Sequence, residues 1–384
     1  MARALYIHWP FCIAKCPYCD FNSHVRKTAE TAVWKDALIA DMRHEQVQAN
    51  SEEPLTSIFF GGGTPSLMPP SLVAELIAEA DRLWGFDPAV EITLEANPSS
   101  VEAANFADLA MAGVNRVSLG VQSLHDEALR FLGRLHGASE ALQALGVAQQ
   151  HFKRVSIDLI YARPGQTEAD WHAELGRALA LGTDHMSLYQ LTIEPSTRFA
   201  TDVRQGVFAP LEDDPAADLF ALTREMTEAA GLPAYETSNH ARPGQESRHN
   251  LTYWRYLDYI GIGPGAHGRR CDTAIVRHRK PENYLAAFAA QQHGIAEARP
   301  LGRSEQASEA LLMGLRLLEG VDLAQLAQRF GAQPETLIDA RKLALYRDLG
   351  MAWSDGPRIG VTPRGMPVLD ALLGELVQAD LVTS

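Results

Sequence analysis

What most limits the folds open to this chain is an alternation, repeated about six times, of short apolar runs with longer helical patterns. The runs lie at residues 5–8, 57–60, 91–94, 116–119, 155–160 and 185–189. Helices are expected over 31–47, 71–84, 101–112, 126–132, 139–149 and 168–181. Strand–helix repetition of this kind implies a parallel sheet with right-handed crossovers. An open doubly wound sheet and a partial barrel both satisfy it, and the polar residues favour the barrel. Gly62-Gly63-Thr64-Pro65, Glu95, Gln122, Asp158 and Gln190-Leu191-Thr192 all fall after a strand or near its C-terminal end. Barrels gather their chemistry on that face. The expectation is an α/β fold with a partial (β/α)6 barrel over 1–193.

A second region, 194–300, carries a helix near 216–230 and the unusual stretch 235–270, read as barrel completion. A third, 301–384, changes character. Helices are expected at 304–318, 323–330, 334–349 and 363–382, with a small hairpin from 351–353 to 358–362. That order resembles a winged-helix module. Such modules often bind DNA, but here acids and bases are about equal, so the segment reads as a packing or partner module.

The formal net charge of −14 argues against non-specific nucleic-acid binding, which needs a basic footprint. Neither a signal peptide nor an uncharged run of about 18 apolar residues is legible, so no transmembrane helix is expected and the location is taken as cytoplasmic. Three of the four cysteines lie between positions 12 and 19, and the fourth is Cys271. In a reducing compartment this is a metal or redox cluster rather than a disulfide framework. Cys271 reads as a buried or semi-buried small residue.

The cysteines stand as Cys12-Ile13-Ala14-Lys15-Cys16-Pro17-Tyr18-Cys19, directly after the first strand. A loop of this length can turn three thiolates toward one point. Four-iron clusters are held by cysteine thiolates, and three of them leave one iron open. The alternative is a zinc site with His8 or His24 as fourth ligand. Gly61-Gly62-Gly63 follows the second strand, and consecutive glycines let a backbone approach a ligand closely. A carboxylate such as Glu95 can accept two ribose hydroxyls.

The C-x3-C-x2-C spacing, with Tyr18 before the third cysteine, resembles the signature of the radical S-adenosylmethionine (SAM) superfamily. There a [4Fe–4S] cluster on the three cysteines chelates SAM through its open iron. The motifs YIHWPFC, GGGTP, LEANP, GVQS, LGRLH and IDLIYARPGQT resemble the oxygen-independent coproporphyrinogen III oxidase-like family over nearly the whole chain. The resemblance implies a radical SAM barrel with a C-terminal helical, winged-helix-like module. It makes Cys12, Cys16 and Cys19 the metal ligands. It lines the SAM pocket with Tyr6, Tyr18, Gly62, Gly63, Thr64, Glu95, Gln122, Arg134, Asp158, Thr192 and His267.

The family's true oxidases carry an N-terminal arm and a further cysteine two residues after the third ligand. Here five residues precede Tyr6, and that position is Phe21. The HemW-type heme chaperone branch is marked by H-N-x-x-Y-W, present as His249-Asn250-Leu251-Thr252-Tyr253-Trp254. The resemblance therefore implies haem as a further ligand, haem-accepting proteins (respiratory and membrane-associated) as partners, and an electron donor for the cluster. Whether SAM is cleaved is left open, and oxidation of a porphyrinogen is the alternative. An exposed loop histidine can ligate haem iron. His249 is the first candidate and His240 its rival. Tyr253 and Trp254 can pack on the porphyrin, and Arg242 or Arg248 can pair with its propionates. The glycines of Tyr259 to Gly268 could be mistaken for a dinucleotide fingerprint; with no strand–helix unit around them they read as closing the barrel mouth.

Overall fold

The computed structural model describes residues 4–26, 30–49 and 53–377. β1 (Ala4–Trp9) opens the main sheet, and β2 (Phe11–Cys12) and β3 (His24–Val25) form a small parallel pair beyond its end. β4 (Leu55–Gly62), β5 (Phe86–Ala96), β6 (Arg116–Gln122), β7 (Arg154–Tyr161) and β8 (His185–Gln190) follow, joined in order β1-β4-β5-β6-β7-β8, every pair parallel. β9 (Asn239–Ala241) lies antiparallel on β8. On the other side β10 (Tyr259–Ile262) is parallel to β1, and β11 (His267–Arg270), β12 (Thr273–Arg277) and β13 (Ile295–Pro300) continue antiparallel. The eleven-stranded sheet keeps β9 and β13 as separate edges, so it is an open arc rather than a closed barrel. The glycine-rich 259–268 segment is a strand, a turn and a second strand, so it widens the sheet beside β1 instead of closing its mouth.

The central strands are buried almost continuously, as parallel strands covered on both faces must be. The covering helices show why. Leu72, Val73, Leu76, Ile77 and Ala80 form one apolar stripe of the helix Pro70–Trp84. The first helix, Thr31–Ala49, buries two acids, Asp41 and Glu45, beside Trp34, Leu38 and Met42. They are buried because Arg277 from β12 is also buried and donates to both, at 3.2 Å and 2.7 Å.

The six repeat strands and most of their helices fall within a few residues of expectation. Three expected helices are broken. Residues 101–112 divide into Ser100–Ala103 and Phe106–Met111, because Glu102 turns aside to accept from Ser66 Oγ and from Asn97 N. Residues 334–349 divide into Pro334–Leu337 and Ala340–Asp348. Ile338 leaves the helix to bridge to Val377, and Asp339 caps the next one by accepting from Arg341 N and Lys342 N. The last expected helix is a short 3-10 turn, Met366–Val368, then Leu369–Leu376; its remainder lies outside the described residues. β14 (Val321–Asp322), β15 (Ala352–Asp355) and β16 (Arg358–Val361) complete a three-stranded wing. The module has its own apolar core, which takes Phe220 and Tyr256 from the preceding region.

Candidate functional site

The cysteine loop leaves the C-terminal end of β1 and is laced to the strand beside it. Gly63 N donates to Trp9 O at 2.7 Å and Thr64 N to Phe11 O at 2.9 Å. A Cβ on Gly63 would sit 2.8 Å from the Phe11 carbonyl oxygen and from Pro10 C, so only glycine lets these two backbones meet. Cys12 is buried, Cys16 and Cys19 are half-buried, and all three are free thiols. Thr64 Oγ1 lies 3.4 Å from Cys12 Sγ, and an Arg134 N–H lies 3.3 Å from Cys16 Sγ. Burial pushes the Cys12 and Cys19 thiols up, which favours their protonated form while they stand alone.

The loop covers a chamber of about 370 Å³ at the C-terminal ends of β4 to β8. Tyr18, Gly62, Gly63, Thr64, Glu95, Gln122, Arg134, Asp158 and Thr192 all line it with the three cysteines. Glu95 accepts from Gly62 N at 3.3 Å, and Asp158 accepts from Ser118 Oγ at 3.0 Å. Burial first, and then the neighbouring Asp158, push the Glu95 carboxyl up to about 8. Arg134 also donates to Asn97 Oδ1 at 2.5 Å and to Gly120 O at 3.1 Å. Asn97, Ser118 and Tyr189 line the chamber unnoticed by the sequence reading, although Asn97 follows Glu95 within LEANP.

Two observations bear on what the chamber holds. Gln122 Oε1 and Arg134 Nε are buried with no hydrogen-bond partner among the described residues. Groups of that kind want a polar ligand. Gln122 is itself held at φ 66°, in the left-handed region. Among the described residues no three His, Cys, Asp or Glu side chains converge as a single ion requires. A cluster that presents a separate iron to each thiolate makes no such demand. His8 is further tied up, with Tyr6 OH at 3.0 Å from Nδ1 and Asn22 O at 2.9 Å from Nε2. The residues present fit a three-cysteine cluster with a polar organic ligand; of the two histidines of the zinc alternative, only His24, whose Nε2 is buried without a partner among the described residues, has a free ring nitrogen.

Tyr6 and His267 do not line this chamber. They line a second cavity of about 600 Å³ on its flank, which shares Phe21, Gly62 and Glu95 with the first. Tyr253, Trp254 and Tyr259 form its aromatic wall, the Tyr253 and Tyr259 rings 4.4 Å apart and edge to face. The H-N-x-x-Y-W residues form the helix Arg248–Trp254. His249 is therefore not an exposed loop residue. It is 1% exposed, with Ser57 Oγ 3.0 Å from Nδ1 and Tyr253 OH 2.5 Å from Nε2. Burial drives its pKa down to about 3. Its structural effect is to fix the Tyr253 ring in the cavity wall, and the buried Glu91 carboxylate accepts from its backbone N–H at 3.2 Å. His240 is also buried, with Thr227 Oγ1 at 2.9 Å, and lines neither cavity.

Arg242 pairs with Asp184 at 2.8 Å and Arg248 donates to Ala89 O at 2.5 Å, both away from the aromatic wall. The cavity's guanidinium groups are instead Arg269 and Arg279. Cys271 is exposed rather than buried, because it stands at φ 54° in the tight turn joining β11 to β12. No helix among the described residues is long and apolar enough to cross a membrane.

Comparison with known proteins places this geometry. Residues 6–176 match the radical SAM superfamily and residues 301–368 the HemN C-terminal domain. The mitochondrial radical S-adenosyl methionine domain-containing protein 1 of Mus musculus is 37% identical, over 96% of this chain and 86% of its own length. The heme chaperone HemW of Haemophilus influenzae is 35% identical over 96% of each chain, and that of Escherichia coli 39% over 82% and 83%. The fold is that of coproporphyrinogen III oxidase (HemN) from Escherichia coli, with a TM-score of 0.81 at 21% identity, over 97% of this chain and 89% of that one. With its cysteine loop, its glycine-laced chamber and relatives matched along almost their full length, the chain belongs to the radical SAM superfamily, in the family of HemW and radical SAM domain-containing protein 1.

Proposed function

We propose that this protein is a heme chaperone that takes haem as cargo beside a SAM-ligated [4Fe–4S] cluster and passes it to acceptor proteins. The observation that carries the reading is the aromatic second cavity, which lies against the cluster chamber and is walled by the H-N-x-x-Y-W helix. Bacterial relatives named heme chaperone HemW, 35% to 39% identical, support it.

Cys12, Cys16 and Cys19 would hold the cluster; Gly62, Gly63, Thr64, Glu95, Gln122, Arg134, Asp158, Thr192 and Tyr18 would hold SAM. When bound, the pair supplies one-electron chemistry that the side chains lack. The chain's own residues set the surroundings. Arg134 spans Cys16, Tyr18 and Asn97 and places a fixed positive charge beside the thiol. Glu95 presents a largely protonated carboxyl near neutral pH, able both to donate to and to accept from hydroxyls. Tyr253 and Trp254 offer flat faces to a porphyrin, and Tyr6 extends that surface toward the chamber. His249 serves this face by holding Tyr253. The protein works in the cytoplasm, delivers to membrane-associated respiratory acceptors and draws electrons from a separate donor.

Porphyrinogen oxidation is disfavoured by Phe21, an exposed ring where the oxidases carry a further cysteine. The test is a hemin titration of anaerobically reconstituted protein beside an oxidase assay with SAM, reductant and coproporphyrinogen III. Saturable hemin binding with no porphyrinogen consumed is the expected result. Porphyrinogen turnover, or hemin uptake that never saturates, overturns the reading.

A further inference from the structure

Two histidines line the second cavity, and they differ in what their rings already hold. Both nitrogens of His8 are engaged, by Tyr6 OH and by Asn22 O. His249, just behind the wall, is equally saturated by Ser57 and Tyr253. His267 stands at the start of β11, exposed to the cavity, and makes no ring hydrogen bond among the described residues. Arg279, exposed on the same cavity, has no ion pair among the described residues. The other guanidinium, Arg269, is buried and held back from the cavity's occupant: it stacks 3.5 Å over the Tyr256 ring, donates to Leu257 O at 2.7 Å and lies 3.8 Å from Asp258.

Haem asks for three things at once: a flat aromatic surface, an imidazole lone pair for the iron, and a cation for a propionate. One wall of this cavity, with His267 and Arg279, offers all three. The structure assigns the haem iron to His267 and a haem propionate to Arg279, an assignment that rests on the heme-chaperone reading above. His249 is then a positioning residue that keeps Tyr253 upright. Burial and the charge of Arg279 hold the His267 imidazole below its ordinary pKa, so it is neutral and able to ligate at neutral pH.

The test uses the full chain with its cluster reconstituted, ferric hemin as the probe, and absorption and electron paramagnetic resonance spectra as readouts. In the wild type an imidazole-ligated ferric signal is expected. His267→Ala should abolish that signal and weaken hemin binding by roughly tenfold or more, and free imidazole should restore the signal. His267→Cys should convert it to a thiolate-ligated spectrum. Arg279→Ala should weaken hemin but leave its dimethyl ester, which has no free propionate, unaffected. Unchanged cluster iron and sulfide content confirms that the variants have folded.

A His267→Ala protein that keeps the wild-type spectrum and affinity overturns the assignment, as does loss of the signal in His249→Ala alone. If the wild type takes up no hemin saturably, the heme-chaperone reading itself has failed. Hemin bound by the wild type with His267 indifferent sinks only the ligand.

Discussion

Glu95 reaches the chamber from the end of β5 and meets a second carboxyl, Asp158, raised for the same reason of burial. With its folded value near 8 against an ordinary 4.5, Glu95 keeps a proton that the unfolded chain has already released. Stability from this group is therefore fully present below about pH 4.5 and is lost as pH rises through 8. In cofactor-free protein the advantage of Glu95→Gln over the wild type should grow between pH 5 and pH 8, by on the order of 3–5 kcal/mol. Urea unfolding at the two pH values checks it, and a pH-independent difference contradicts it. Glu95 was legible in the sequence because LEANP follows a strand. The burial of His249 was not, because its partners Ser57 and Tyr253 lie on different elements, one of them 192 positions away.

The cysteine loop shows how much an element depends on its neighbour. Its spacing was readable, and so was the glycine run after the second strand. What the sequence could not convey is that Gly63 and the Pro10–Phe11 backbone occupy one another's space. Gly63→Ala should push the loop away from β4 without changing any of the three cysteines. Iron and sulfide bound per chain should then fall by roughly half or more, consistent with the sensitivity of metal sites to their supporting shell. Elemental analysis after anaerobic reconstitution measures this, and an unchanged content contradicts the geometry. Two of the three broken helices share one cause. At 104–105 and 338–339 a helical pattern runs on, but a tertiary partner (Ser66 for Glu102, Val377 for Ile338) draws the chain aside.

At the scale of the whole molecule, the parallel repeat was legible because six similar units each announced a strand and a helix. The edges were not, because β9 to β13 are short, all but β10 join the sheet antiparallel, and they are defined by pairing rather than by periodicity. Nor was the join between the two cores. Tyr256 donates to Glu309 at 2.5 Å, accepts Arg329 on its carbonyl at 2.8 Å, and packs on Phe330. A chain ending at residue 300 should lose about 1.5–3 kcal/mol through the exposure of this aromatic alone. It should also aggregate on warming, which light scattering and thermal denaturation would report; a truncated chain that melts like the full one contradicts this account.

The second cavity is bordered almost wholly by one side of the molecule. Of its fourteen lining residues only Met313 comes from the C-terminal module, while the others stand on the sheet side. The module is tied down beside it: Arg255 donates to Glu319 at 2.9 Å and Tyr256 lies in the module's own core, so the Met313 thioether is a fixed part of the rim. Whatever occupies the cavity meets the module through one soft, polarisable side chain that can reshape itself, so a guest can be accommodated without loosening the bond between the two cores.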